Sequence, residues 1–184
     1  MLPPVLRLLE RAGIPPFTSP FDANLVAVRD PSAPLDTFDG RVHLVYVDTA
    51  GVWHDVSARA ATRPGSAYLK APMNPKGTFV LAAGVRNAGS HALGYHKGDL
   101  TRPAFAQVGK VSGRRDGDRD LVLDPGEALF DDGAGVNVHD CDAPAYLAGC
   151  IGVPKAELGV LLSEFKALQA GRPQRTVSLA VVER

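Results

Sequence analysis

The stretch "GAGVNVHDCDAPAYLAGCIG", residues 133–152, holds both cysteines of the chain, Cys141 and Cys150, and places His139 eleven positions ahead of the second. Its first half alternates. Val136 and Val138 fall on one face of an extended segment, which leaves Asn137 and His139 on the other. Pro144 turns the chain back to "AGC", where Ala148 and Gly149 let backbone or ligand come close to Cys150. Pro154 stands at a natural first-turn position, so a helix beginning there is expected to aim its amides and dipole at the sulfur, favouring a thiolate and a developing oxyanion. A free thiol ionises near pH ~8.5, and a neighbouring imidazole can take its proton and return it to a leaving amine. The segment therefore reads in two ways. Either His139 is a strand-borne base and Cys150 a turn-borne nucleophile, or the two are a core histidine and a buried cysteine; the pair alone leaves both open. A bridge between Cys141 and Cys150, masking the thiol, is a third reading.

Outward from this stretch, glycine and proline cut the chain into short β-branched or aromatic runs: 25–29, 42–48, 51–58, 77–85, 91–98, 104–113, 135–140 and 176–183. Their spacing is that of a sandwich or barrel rather than of alternating strands and helices. Two segments carry helical periodicity. Residues 3–13 place Val5, Leu8, Leu9 and Ala12 on one stripe and stop at Gly13, and residues 153–171 place Leu158, Leu161, Leu162, Phe165 and Leu168 on another and stop at Gly171. The expected fold is mainly β, with an N-terminal helix and one helix after Cys150. We read residues 1–184 as a single domain: a helix and lead-in over 1–23, a core over 24–168 and a C-terminal strand over 169–184.

Composition narrows the function classes. Twenty basic residues balance twenty acidic ones, so no net field recruits nucleic acid or an anionic membrane. No run approaches the ~18 apolar residues of a membrane span. The opening "MLPPVLRLLERAGIPPF" is interrupted by Arg7, Glu10 and Arg11 and does not read as a secretion signal. Two cysteines are too few for a disulfide framework. His43, His54 and His91 have no partner evident from spacing, no Cys/His spacing fits zinc, and the glycine-rich segments lack a phosphate-loop lysine.

"GVNVH" followed by "AGC" and an apolar residue resembles the active-site signature of the L,D-transpeptidase (YkuD-type) catalytic domain, in which a strand histidine precedes a Ser/Thr-x-Gly-Cys turn. "TRPGSAYL" (62–69), "LGYHKGD" (93–99), "PAFAQVGKV" (103–111) and "RRDGDRD" (114–120) resemble a phage- or prophage-associated branch, so the likeness spans about residues 24–168. It implies a β-sandwich or barrel of the L,D-transpeptidase type acting on peptidoglycan stem peptides. Cys150 would attack the amide before a terminal D-amino acid to form a thioester, His139 would serve as base and then acid, and Gly149 with the Cys150 amide would form the oxyanion site. An amine acceptor then gives cross-linking or exchange, and water gives carboxypeptidase or endopeptidase activity. The chain departs from the pattern at Leu147, where the family has Ser/Thr, at Ala148, where many members have a second histidine, at Gly152, where arginine is frequent, and in a short spacer. A structural or cell-wall-binding module of a phage-like particle or injection apparatus, keeping the fold without turnover, is the competing expectation. With such a substrate and no leader, the chain is expected to be made in the cytoplasm and to act outside it after delivery or lysis.

His96, in "LGYHKG", is a candidate substrate contact or partner of the same cleft, and equally a strand-end histidine in solvent. Asn137 shares the face of His139 and would orient it or bind substrate. Tyr146 and Tyr95 are candidate pocket walls, and Tyr146 and Ala148 are candidate substrate contacts. "DGDRDLVLDPGE" (116–127) places Asp116, Asp118, Asp120, Asp124 and Glu127 at positions 1, 3, 5, 9 and 12 of a calcium loop, but Leu121 stands where that loop needs glycine. Calcium is therefore a weak alternative to an exposed acidic turn, and no cofactor is expected otherwise.

Overall fold

The computed structural model describes residues 1–119, 129–132, 135–171 and 175–184. Strand exceeds helix, 38% against 22%, so the mainly-β expectation holds. Eight strands form one strongly curled sheet: β1 (Asn24–Arg29), β2 (Gly40–Val47), β3 (Trp53–Ala60), β5 (Val85–Tyr95), β6 (Pro103–Gln107), β9 (Val138–Asp140), β10 (Ile151–Val153) and β11 (Thr176–Glu183). Their order across the sheet is β10-β9-β6-β5-β11-β1-β2-β3. The two edges then nearly meet: just past β3, Ala61 donates to the Gly152 carbonyl at 2.8 Å and accepts from the Gly152 amide at 2.9 Å. The sheet is thus a nearly closed barrel, and pairing its edges removes the backbone groups an open sheet leaves exposed. Three further strands, β4 (Thr78–Leu81), β7 (Val111–Asp116) and β8 (Phe130–Asp132), form a small antiparallel sheet.

Period-2 alternation sends one face of the barrel strands inward. Leu25 and Ala27, Val42, Leu44 and Tyr46, Ala58 and Ala60, Phe105, Val138, Ile151 and Val153, and Val177, Leu179 and Val181 share one core. Helix α3 (Lys155–Gly171) lays Leu158, Leu161, Phe165 and Leu168 into that core, as its sequence stripe requires. Phe165 meets Phe105 with ring centroids 5.5 Å apart, and burying a side chain of this size contributes about 2 kcal/mol. Helix α1 (Pro4–Arg11) covers the other face of the sheet with Val5, Leu6 and Leu9, packed with Val26, Val28, Val45, Ala180 and Val182. This explains why β1 is buried along its whole length. Phe79, Leu81 and Val111 join the small sheet to the same core.

Several segments differ from the sequence expectation. The run 104–113 splits into β6 and β7, which belong to different sheets, because Val108 and Gly109 donate to the Ser90 carbonyl and turn the chain. The run 91–98 begins earlier, at Val85, and ends in a 3-10 turn over His96–Gly98. Within 135–140 only Val138–Asp140 is strand. Helix α2 (Ser66–Lys70) and the short strands β8 and β10 were not anticipated. Among the described residues, no helix is long and apolar enough to cross a membrane. Asp116 is buried at the end of β7 and accepts from the Arg119 amide, whereas Asp118 is exposed. Asp120, Asp124 and Glu127 lie outside the described residues.

Candidate active site

Three neighbouring strands bring the chemistry together. β9 pairs with β6 through Val138 and Phe105, and runs parallel to β10 with Val138 opposite Ile151 and His139 opposite Gly152. Val138 points into the core, so Asn137 and His139 take the opposite face, as alternation predicts. Cys150 enters just before β10. Its approach is made by Gly149, whose φ of +113° and closeness to Phe79 exclude a side chain, since a Cβ there would come within 2.5 Å of the Phe79 carbonyl oxygen. His96 arrives from the turn between β5 and β6. That turn is closed by the His96 amide on the Arg102 carbonyl at 2.8 Å and braced by Asp99, whose Oδ1 accepts from the Thr101 amide and hydroxyl. Lys97 within it holds a left-handed φ of +51°, unusual for a residue with a side chain.

The result is a cluster in which the sulfur of Cys150 and one ring nitrogen each of His96 and His139 all lie within 4.8 Å of one another. Both imidazoles are buried and Cys150 is half-buried. The cluster sits in a cavity of about 520 Å³ whose walls include Tyr68, Lys97, Arg102, Asp140, Tyr146, Leu147 and Ala148. Tyr146 and Ala148 both line it. Asn137 and Gly149 do not line the cavity; they build it from behind. Tyr95 is exposed and faces a different groove, between the β5–β6 hairpin and α3. Lys97, Arg102 and Tyr68 were not singled out from the sequence.

Hydrogen bonds define the proton on each ring. His139 Nδ1 lies 2.6 Å from the Asp140 carbonyl oxygen, an acceptor, so Nδ1 carries the proton and Nε2 keeps its lone pair. An Arg102 Nη2 contact to the same nitrogen is longer, 3.3 Å, and Arg102 is otherwise engaged by the Asp140 carboxylate at 3.0 Å. For His96 the logic is reversed. Asn137 Oδ1 accepts from the Gln107 amide at 2.8 Å, which turns its Nδ2–H toward His96 Nδ1 at 3.1 Å. His96 Nδ1 is therefore the acceptor and Nε2 the protonated nitrogen. Asn137 was expected to orient His139 or touch substrate; it holds His96 instead, and its backbone amide lies 3.4 Å from the Cys150 sulfur.

Burial sets the resting charges. It pushes the Cys150 thiol up, against a smaller opposing effect of the Asn137 amide. It pushes His139 down, the Asp140 carbonyl partly offsetting this and Arg102 adding to it. It takes His96 down to about 4, with His139, Arg102 and Lys97 acting in the same direction. The pair at rest is a neutral thiol beside a neutral imidazole. The expected help from a helix dipole is absent for a geometric reason: β10 stands between Cys150 and α3, and its three residues carry the helix start about 10 Å along the sheet.

The two cysteines are free thiols. Cys150 faces the Gly135 carbonyl and the Asn137 amide, while Cys141 packs over Gly152 beside Leu147 and its amide bonds to Val153. The remaining histidines all have partners that spacing did not reveal. His43 meets Asp55 at 2.8 Å, His54 meets Asp48 at 3.0 Å, and His91 donates to the Val136 carbonyl while accepting from Ser90. Comparison with family models, with curated proteins and with solved structures finds no match for this chain.

Proposed function

We propose that the cavity is an acyl-transfer site of the L,D-transpeptidase kind, acting on peptidoglycan stem peptides through a thioester on Cys150. The observation that carries this reading is a sulfur and an imidazole in one cleft, a ring nitrogen lying within 4.8 Å of the sulfur and Nδ1 of that ring tied to a backbone carbonyl. In the reaction, His139 Nε2 takes the thiol proton as the sulfur bonds to the carbonyl carbon of the amide before the terminal residue. Collapse of the tetrahedral intermediate breaks the C–N bond, and the same nitrogen returns the proton to the departing amine. An acceptor amine or water then attacks the thioester, with His139 again as base. A neutral resting pair suits this general-base route, in which the proton moves as the bond forms. Lys97 on the cavity wall supplies positive charge for a substrate carboxylate, while Arg102 beside it is held by Asp140.

The second reading is a cell-wall-binding or structural module of a phage-like particle. The upward-shifted thiol favours it, as do Leu147, Ala148 and Gly152 at positions where the resemblance expects other residues. Incubation with purified muropeptides, followed by mass analysis of products and protein, separates the two. Acyl transfer gives loss of a terminal amino acid and a thioester on Cys150, both abolished in Cys150→Ala. Muropeptide binding with neither adduct nor product overturns the enzymatic reading.

A further inference from the structure

We propose that His96, His139 and Cys150 form a binding site for a thiophilic divalent cation of the zinc class, and that the bound ion masks the sulfur. Binding depends only on the cluster; its consequence as a reversible off-state for catalysis rests on the acyl-transfer reading. Spacing along the chain shows no zinc motif, because residues 96, 139 and 150 meet only once β5, β6, β9 and β10 lie side by side.

Four features of the cluster suit such an ion. Its donors are two imidazole nitrogens and one sulfur with no carboxylate among them, a set that selects zinc-like metals over magnesium or calcium. The atoms lie within 4.8 Å of one another, and closing to the roughly 3.4–3.6 Å of a tetrahedral N/S shell needs about 1 Å of side-chain movement. His139 already donates Nδ1–H to the Asp140 carbonyl, the outer contact that orients a ligating histidine and frees Nε2 for metal. The charges facing the cluster balance: Lys97 and Arg102 on the cavity wall are offset by Asp140 and Asp142. At His96, ligation through Nδ1 displaces the Asn137 carboxamide, and ligation through Nε2 moves the ring proton to Nδ1 and turns that carboxamide over. On binding, the Cys150 thiol loses its proton to solvent as the sulfur–metal bond forms. The three protein ligands leave a fourth position for water or chloride.

The test uses the full chain stripped of metal by a chelator and titrated with zinc or cobalt(II). One equivalent of cobalt is expected to give a sulfur-to-cobalt charge-transfer band and the intense visible bands of a tetrahedral ion, both absent in Cys150→Ala. Zinc is expected to slow iodoacetamide alkylation of Cys150 by at least about tenfold, the scale on which one ligand or its partner changes metal affinity. EDTA should restore the rate and His139→Ala should remove the protection. A cobalt spectrum without sulfur charge transfer, or alkylation indifferent to zinc, overturns the proposal. Metal-free alkylation and the muropeptide assay are read on the same preparation, so a failure of zinc binding is distinguishable from a failure of the acyl-transfer reading.

Discussion

The imidazoles of His96 and His139 stack with centroids 3.8 Å apart and planes tilted by 31°. The two rings carry their protons on different nitrogens because they have different partners, a carboxamide N–H for His96 and a backbone carbonyl for His139. Nitrogen-resolved NMR of the histidine rings should therefore show His139 protonated at Nδ1 and His96 at Nε2, with His96 neutral down to about pH 4. In Asn137→Leu the partner of His96 is lost, and His96 should become a mixture of tautomers while His139 keeps its form. A native His96 protonated at Nδ1 would mean that Asn137 is turned over.

Cys150 should behave as a half-buried thiol with a nearby base and not as a preformed thiolate. Burial raises its pKa, so the fraction ionised at neutral pH is below that of a free cysteine. The rate of iodoacetamide alkylation should keep climbing beyond the ordinary thiol range, with His139→Gln lowering the rate near neutrality. A plateau reached at or below about pH 7 would instead establish a thiolate–imidazolium pair. Cys141, also pushed up by burial, serves as the internal control.

Much of the architecture was legible because periodicity records burial. The α3 stripe of Leu158, Leu161, Phe165 and Leu168 and the Val136/Val138 alternation each report which side faces a core. The split between β6 and β7 was not legible: "AFAQVGKVSG" is continuous in composition, and the turn at Val108 and Gly109 is set by Ser90, distant in sequence. Nor was β10, whose three residues exist as a strand only because they pair with β9 on one side and reach Ala61 on the other. In the site, His139, Cys150 and the walls Tyr146 and Ala148 could be named from one segment. Asn137 could be placed on the right face but not given its partner, since His96 reaches it from another hairpin. Lys97 and Arg102 carried no local signal for the same reason.

Gly152 shows how one such contact decides a residue type. A Cβ at this position would meet Cys141 Cβ at 2.6 Å and Leu147 Cδ1 at 2.8 Å, while its amide and carbonyl close the barrel onto Ala61. Installing the arginine that the resemblance would favour should therefore disrupt the seam rather than improve the site. Gly152→Ala should destabilise by about 1–3 kcal/mol through overpacking, and Gly152→Arg by at least as much. For a chain of this size each kcal/mol lowers Tm by about 2–4 °C, so calorimetry resolves the effect. An unchanged Tm in Gly152→Arg would show that Cys141 and Leu147 can move aside.

His91 links acid stability to the site. It is fully buried against the segment leading into β9, with Nε2–H donating to the Val136 carbonyl at 3.0 Å and Nδ1 accepting from the Ser90 hydroxyl at 2.8 Å. Burial lowers its pKa from 6.5 to about 4, the Val136 carbonyl opposing the shift. The unfolded chain therefore takes up a proton that the folded chain refuses. The stability contribution is intact above pH 6.5, declines as the pH falls toward about 4 and is gone below that. At about 1.4 kcal/mol per pKa unit the total loss is about 3 kcal/mol. His96, lowered to a similar value, adds a loss in the same window. Urea denaturation across this range should show a falling midpoint in the native chain and a shallower fall in His91→Gln, which keeps a donor and an acceptor but does not titrate. Equal slopes in the two proteins would mean that His91 is protonated in the fold, and that the segment leading into β9 through Val136 and Asn137 rests on a charged ring.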